Sequence, residues 1–236
     1  MISIEKLLKK YGSTIAVDIE NLNITKGEIF GLVGNNGAGK TTLLRLMLDL
    51  LKPDRGNIRS KSEIIYQSEH WKKYTGSFID DNFLIGFLKP EEYFDFIGFL
   101  YGMNAPTLKK RIEGFETFMN GEVFGLNKYI RNLSSGNKQK VGIMGAMISE
   151  PEVLILDEPF NFLDPSSQIS LKEILKRYHE ENTKIIILSS HNLSHISDLC
   201  TRVALMEKGK IIKDCKNNSD TMKEIEAYFN SQVGIF

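Results

Sequence analysis

Five short stretches hold the residues best suited to chemistry. Gly34-Asn35-Asn36-Gly37-Ala38-Gly39-Lys40-Thr41 has glycines, a lysine and a hydroxyl at the spacing G-x-x-x-x-G-K-T of a phosphate-binding loop. Glycines there let backbone N–H groups turn inward on an anion. Lys40 brings charge to β- and γ-phosphates, and the Thr41 hydroxyl suits Mg²⁺. The helical run from Thr42 to Leu51 adds the positive potential of a helix N-terminus. Asp157-Glu158-Pro159 closes an apolar run. The Asp is placed for a divalent cation, and Glu158, on the other side of the chain, for activating water. His191 follows another apolar run and Ser189-Ser190. Leu133-Ser134-Ser135-Gly136-Asn137 puts a serine N-cap and a glycine before a helical run, which makes a second anion-binding helix end. In Asn161-Phe162-Leu163-Asp164-Pro165, the Asp-Pro pair starts a helix.

The elements that must position these residues follow from periodicity. Ile29–Val33, Val153–Leu156 and Lys184–Leu188 are continuous apolar runs, as in a parallel sheet covered on both faces. They end in Gly34, Asp157 and Ser189, at the carboxyl ends where such sheets hold ligands. Ile2–Leu8 and Ala16–Ile24 alternate and are separated by Tyr11-Gly12-Ser13, which predicts antiparallel strands. Val203–Met206 and Lys210-Ile211-Ile212 predict a hairpin about Glu207-Lys208-Gly209. Trp71–Ser149 reads mostly helical, with a helix start at Pro90-Glu91-Glu92 and a helix over Lys138–Ile148. Within it, Phe78, Phe83, Phe87, Tyr93, Phe94, Phe96, Phe99 and Tyr101 are expected mostly in a helical core. The rest would suit a docking groove. The fold class is therefore α/β: a P-loop NTPase core with a mainly parallel sheet, an N-terminal antiparallel β subdomain and an inserted α-helical subdomain. Residues 1–70 and 150–214 make the core and antiparallel part of one domain, 71–149 the mainly helical part, and 215–236 a polar tail with one short helix at Thr221–Phe229.

With 236 residues, the chain can bury the core of one such domain. Thirty basic and thirty acidic residues balance, which argues against nucleic acid as a partner. Cys200 and Cys215 have neither framework nor metal spacing and read as thiols of a reducing cytosol. No apolar run reaches the roughly 18 residues of a membrane span, and Met1–Lys6 lacks the apolar region of a signal peptide. Any membrane role is expected to come through a partner.

Leu133–Asn137, lying between the phosphate loop and Asp157, resembles the Leu-Ser-Gly-Gly-Gln signature of the ATP-binding cassette (ABC) family, and the resemblance covers almost the whole chain. It implies that Ser134 and Gly136 contact the γ-phosphate of ATP on a second subunit. Ser135 and Asn137 depart from the usual Gly and Gln. It further implies roles for Gln67 (Mg²⁺ or the attacking water), Asp164 (the subunit interface), His191 (the γ-phosphate and Glu158) and Tyr11 (stacking on adenine). In this picture Lys40, Gln67, Glu158 and His191 are catalytic. Residues 34–42 hold nucleotide, with Asn35 and Asn36 at variable positions and Thr42 at the helix start. Thr41, Gln67 and Asp157 hold Mg²⁺.

The implied function is an ATP-hydrolysing transporter subunit that closes as a homodimer or heterodimer on ATP. It would sit at the inner face of the cell membrane through a separate transmembrane subunit. Phe99-Leu100-Tyr101-Gly102 resembles ATPases of exporters. The alternative is a soluble ABC ATPase acting on an assembly scaffold. A GTPase is disfavoured, because Asn127-Lys128-Tyr129-Ile130 and Asn137-Lys138-Gln139-Lys140 both lack the Asp of a guanine reader.

Overall fold

The computed structural model describes residues 1–180 and 183–233. In chain order its strands are β1 (Ile2–Tyr11), β2 (Thr14–Ile24), β3 (Ile29–Val33), β4 (Arg55–Ser60), β5 (Glu63–Ile64), β6 (Thr75–Phe78), β7 (Val153–Leu156), β8 (Ile185–Ser190), β9 (Arg202–Glu207) and β10 (Lys210–Lys216). Its helices are α1 (Lys40–Met47), α2 (Pro90–Leu100), α3 (Ala105–Glu113), α4 (Glu116–Met119), α5 (Ser135–Met147), α6 (Pro165–His179), α7 (Leu193–Ser197) and α8 (Ser219–Val233). One sheet is antiparallel with order β2-β1-β4-β5. The other runs β10-β9-β3-β8-β7-β6 and is parallel except for the edge strand β10.

Strand alternation divides the core between the two faces of the larger sheet. Phe30, Leu32, Ile155, Ile187 and Met206 meet α1 through Leu43 and Leu44, and the antiparallel sheet through Ile4, Val17 and Ile19. Val33, Leu154, Leu156, Leu188 and Leu205 face the other way, onto Val141 and Met144 of α5 and Leu171 and Leu175 of α6. Phe94, Phe118 and Ile130 extend this second core into the helical insert. Because both faces are covered, the strands lack polar alternation in sequence.

Several boundaries differ from the sequence-based expectation. β6 lies inside the stretch expected to be mainly helical and completes the parallel sheet; Thr75-Gly76-Ser77-Phe78 has one apolar side chain, too few to announce a strand. α1 stops at Met47 rather than Leu51. Asp49 turns left-handed (φ 53°) and the Leu50 amide donates to the Arg45 carbonyl at 2.9 Å, a helix-ending turn. Gln67 ends a 3₁₀ turn, Ile65–Gln67, that follows directly on the two-residue strand β5. The segment after Asp214 is more than a polar tail: β10 runs on to Lys216, and α8 buries Met222 and Ile225 in the main core. Most of the aromatics assigned to a helical core are outside it. Phe78 and Phe94 are buried, whereas Phe83, Phe87, Phe96, Phe99 and Tyr101 are exposed, Phe99 by 80%. No helix among the described residues is long and apolar enough to cross a membrane.

Candidate nucleotide-hydrolysis site

The loop 34–41 joins β3 to α1 at the carboxyl end of the parallel sheet. Gly39 takes φ 109°, and a Cβ there would strike the Ala16 carbonyl, so no side chain is accommodated. Lys40 opens α1 and is only 6% exposed. Its ammonium donates to the Gly34 carbonyl at 2.7 Å and the Asn35 carbonyl at 3.4 Å, so the charge also staples the loop that carries it. The same ammonium lies 3.4 Å from Glu158 Oε1.

Asp157 and Glu158 follow β7, and the Asp157 amide prolongs the parallel ladder by donating to Phe78 at 3.0 Å. The Thr41 hydroxyl donates to Asp157 Oδ2 at 2.5 Å. Ser189, the fifth residue of β8, lies across the ladder: its hydroxyl donates to Asp157 Oδ1 and accepts from the Glu158 amide at 2.9 Å. One hydroxyl thus fixes both acids. Burial pushes the Asp157 carboxyl up, against the pull of the Ser189 and Thr41 hydrogen bonds.

Glu158 holds a left-handed backbone (φ 46°), which turns its side chain across the site. Its Oε2 lies 2.9 Å from His191 Nδ1 and accepts from the His191 amide at 3.3 Å. A carboxylate only accepts, so Nδ1 is assigned the proton and Nε2 is left as the acceptor nitrogen of the neutral ring. Gln139 of α5 donates to the carbonyls of Glu158 (3.3 Å) and Pro159 (3.1 Å), holding the turn from behind. Lys40, Thr41, Asp157, Glu158 and His191 therefore form one network, with Ser189 and Gln139 as supports that sequence reasoning did not select. Ser189 was visible only as a polar strand end; Gln139 has no sequence signal.

The residues expected to reach a nucleotide from elsewhere are arranged differently. Tyr11 is 51% exposed at the end of β1, with the Lys9 ammonium 5.9 Å from its ring centre. Gln67 is exposed, and among the described residues its side chain makes no hydrogen bond to the network. Ser134 caps α5 by accepting from the Asn137 amide at 3.2 Å, and Asp164 caps α6 by accepting from the Ser167 amide at 3.0 Å. Hydrogen bonds from the Ser166 and Ser167 hydroxyls hold the Asp164 carboxyl well below the usual carboxylate range. Among the described residues, no hydrogen bond joins Ser134, Gly136 or Asp164 to the phosphate loop of the same chain.

Residues 17–161 match the family model described as ABC transporter. The chain belongs to the ABC transporter family. It is an ABC-type ATP hydrolase, with the P-loop α/β fold of these proteins. It is 34% identical over 239 residues to a bacitracin transport ATP-binding protein of Enterococcus faecalis, covering 99% of this chain and 74% of that one. It is also 34% identical over 212 residues to a probable sulfate/thiosulfate import ATP-binding protein of Chlorella vulgaris, covering 90% and 89%. A dimeric bacterial ABC transporter cassette superposes with a TM-score of 0.82 at 24% identity, covering 93% of this chain and all of that one.

In this ABC ATPase the two departures from the usual signature have different surroundings. The Asn137 amide group donates to the Glu122 carbonyl at 2.8 Å, and the buried Lys140 pairs with the Glu122 carboxylate at 2.8 Å. Asn137 therefore anchors the loop before α5, whereas no side-chain hydrogen bond is formed by Ser135 among the described residues. Gly136 packs under the Phe162 carbonyl, and an added Cβ would lie 2.7 Å from that oxygen. Gly136→Ala is expected to destabilise the fold by about 1–3 kcal/mol, because two backbone segments must part. Thermal unfolding should show a lower midpoint without nucleotide.

Proposed function

We propose that this ABC ATPase drives a separate transmembrane subunit, with export as the direction, by closing on a second copy around two ATP molecules. The observation that carries the reading is the division of the anion-binding groups. Lys40, Thr41, Asp157, Glu158 and His191 meet in one network, while Ser134 and Gly136 stand apart from it on the tip of α5. A phosphate on Lys40 lacks these last donors unless another molecule supplies them.

ATP binding draws the Lys40 ammonium from Glu158 onto the β- and γ-phosphates. Glu158, still held by His191, is then free to orient water for in-line attack. Tyr11 stacks on the adenine, and Gly34–Thr42 wrap the phosphates, with Asn35 and Asn36 at the mouth of the loop. Thr41 Oγ1 and Asp157 Oδ2 form a hard oxygen pair that fits Mg²⁺, an ion that takes one or two protein oxygens and fills its remaining positions with water and phosphate. When bound, Mg²⁺ neutralises charge on the phosphates. Gln67 reaches it, or the attacking water, from the 3₁₀ turn. Ser134, Gly136 and Asp164 act across the interface.

The exporter direction rests on the resemblance of Phe99–Gly102, and docking to a membrane subunit on the aromatics that the helical insert leaves in solvent. Such docking places the ATPase on the cytoplasmic face of the membrane. In size-exclusion chromatography with saturating Mg·ATP, Glu158→Gln is expected to elute as a dimer. Elution as a monomer at every ATP concentration would remove the sandwich.

A further inference from the structure

We propose that Phe162 is the knob of a contact between two copies of this chain. Its ring enters a cavity beside the partner copy's phosphate loop, against that copy's Met206, Tyr228 and Phe229. This rests on the ATP sandwich described above and adds to it a specific contact and a role for α8.

The first observation is the ring itself. Phe162 has φ 64° and is 73% exposed. A bulky residue in the left-handed region costs about 1–3 kcal/mol, and an exposed phenyl ring gains nothing in return within its own chain. The surroundings nevertheless hold it there. Phe160 and Leu163 are buried on either side, Asp164 is fixed as the cap of α6, and the Phe162 carbonyl rests on Gly136. The backbone has no slack to fold the ring inward.

The second observation is a receptacle. A cavity of about 190 Å³ lies beside the phosphate loop, lined by Asn36 of that loop, by Met206, Glu207 and Lys208 at the β9–β10 turn, and by Tyr228 and Phe229 of α8. That volume accommodates one phenyl side chain. Its aromatic wall is positioned because Met222 and Ile225 anchor α8 in the core.

The geometry joins the two. Gly136 touches the Phe162 carbonyl, so the tip of α5 and Phe162 move as one surface. When Ser134 and Gly136 reach the partner's phosphate loop, Phe162 arrives at the flank of the same loop, where the cavity opens. A two-fold axis makes the contact twice.

The test uses the full chain in the Glu158→Gln background, with dimer affinity measured by analytical ultracentrifugation in Mg·ATP. Phe162→Gly relieves the left-handed backbone, so the nucleotide-free monomer is expected to melt higher. The dimer dissociation constant should rise on the order of a hundredfold, since two buried rings are lost. Phe229→Ala, checked for an unchanged circular dichroism spectrum, should weaken the dimer as well. The Phe162→Gly/Phe229→Ala double variant should be no weaker than Phe162→Gly alone, which is the coupling of residues in contact. If Phe162→Gly leaves the dimer as tight as before, or the two effects simply add, the contact is wrong and the sandwich stands. If Glu158→Gln itself never dimerises, both fall together.

Discussion

Lys40→Met is expected to abolish measurable ATP hydrolysis and to weaken ATP binding by about a hundredfold, the scale for removing one member of a buried, hydrogen-bonded charge pair. The apolar stem of methionine fills the slot that the lysine stem occupies, so the packing of α1 should survive. The loss is electrostatic. The ammonium is nearly inaccessible to water and touches the Gly34 and Asn35 carbonyls and the Glu158 carboxylate. Without it the loop loses its internal staple, the triphosphate loses its cation, and Glu158 faces the γ-phosphate with no opposite charge nearby. Equilibrium binding of a fluorescent ATP analogue separates the affinity loss from the rate loss. Near-normal affinity would mean that the backbone amides of the loop carry binding alone.

Asp157→Asn is expected to lower hydrolysis at least about a hundredfold while making the nucleotide-free protein more heat-stable, a trade between function and stability. The Asp157 carboxyl sits higher than in the unfolded chain because burial penalises its charge. The folded state therefore binds the proton more readily than the unfolded state. The cost of the buried charge is present in full above the folded pKa and is relieved as pH falls through it, so wild-type stability decreases as pH rises across that window. Asparagine carries no charge to bury. Near neutral pH its midpoint should exceed the wild-type value by about 2–4 °C, the shift that 1 kcal/mol produces in a chain of this size. The advantage should shrink as pH falls below the folded pKa. Calorimetry of both proteins over a pH series checks it. A lower midpoint for Asp157→Asn at neutral pH would show that the lost hydrogen-bond geometry with Thr41 and Ser189 outweighs the charge.

The elements whose periodicity matches their burial were legible in the sequence. β3 and β7 have the bounds their apolar runs predict, because strands covered on both faces must be apolar throughout. β6 was hidden because a short edge strand with Gly76 and Ser77 needs little hydrophobicity of its own once β7 and α5 pack against it. Within the site, the residues that meet substrate advertise themselves through fixed local spacing. The supports do not. Ser189 lies 32 residues from Asp157 and Gln139 lies 19 from Glu158, and each matters only through a contact made by the fold. The exposed aromatics of the helical insert misled in the other direction. Composition marks them as core, and only the fold shows that Phe96 and Phe99 lie on the exposed face of α2 and Phe83 and Phe87 in the exposed segment before it.

The strand order has a consequence for how the enzyme comes into being. β3 carries the phosphate loop and β7 the paired acids, yet they are not neighbours: β8 lies between them and hydrogen-bonds to both. A growing chain has made Lys40 and Asp157 well before it makes the strand that sets them side by side. Until Ser190 has left the ribosome, the two halves of the site lack a common frame. Such long-range parallel pairing is slow to form. Until then the nascent polypeptide cannot burn ATP, and the edges of β3 and β7 are open to wrong partners. This is the interval in which chaperone protection would count most.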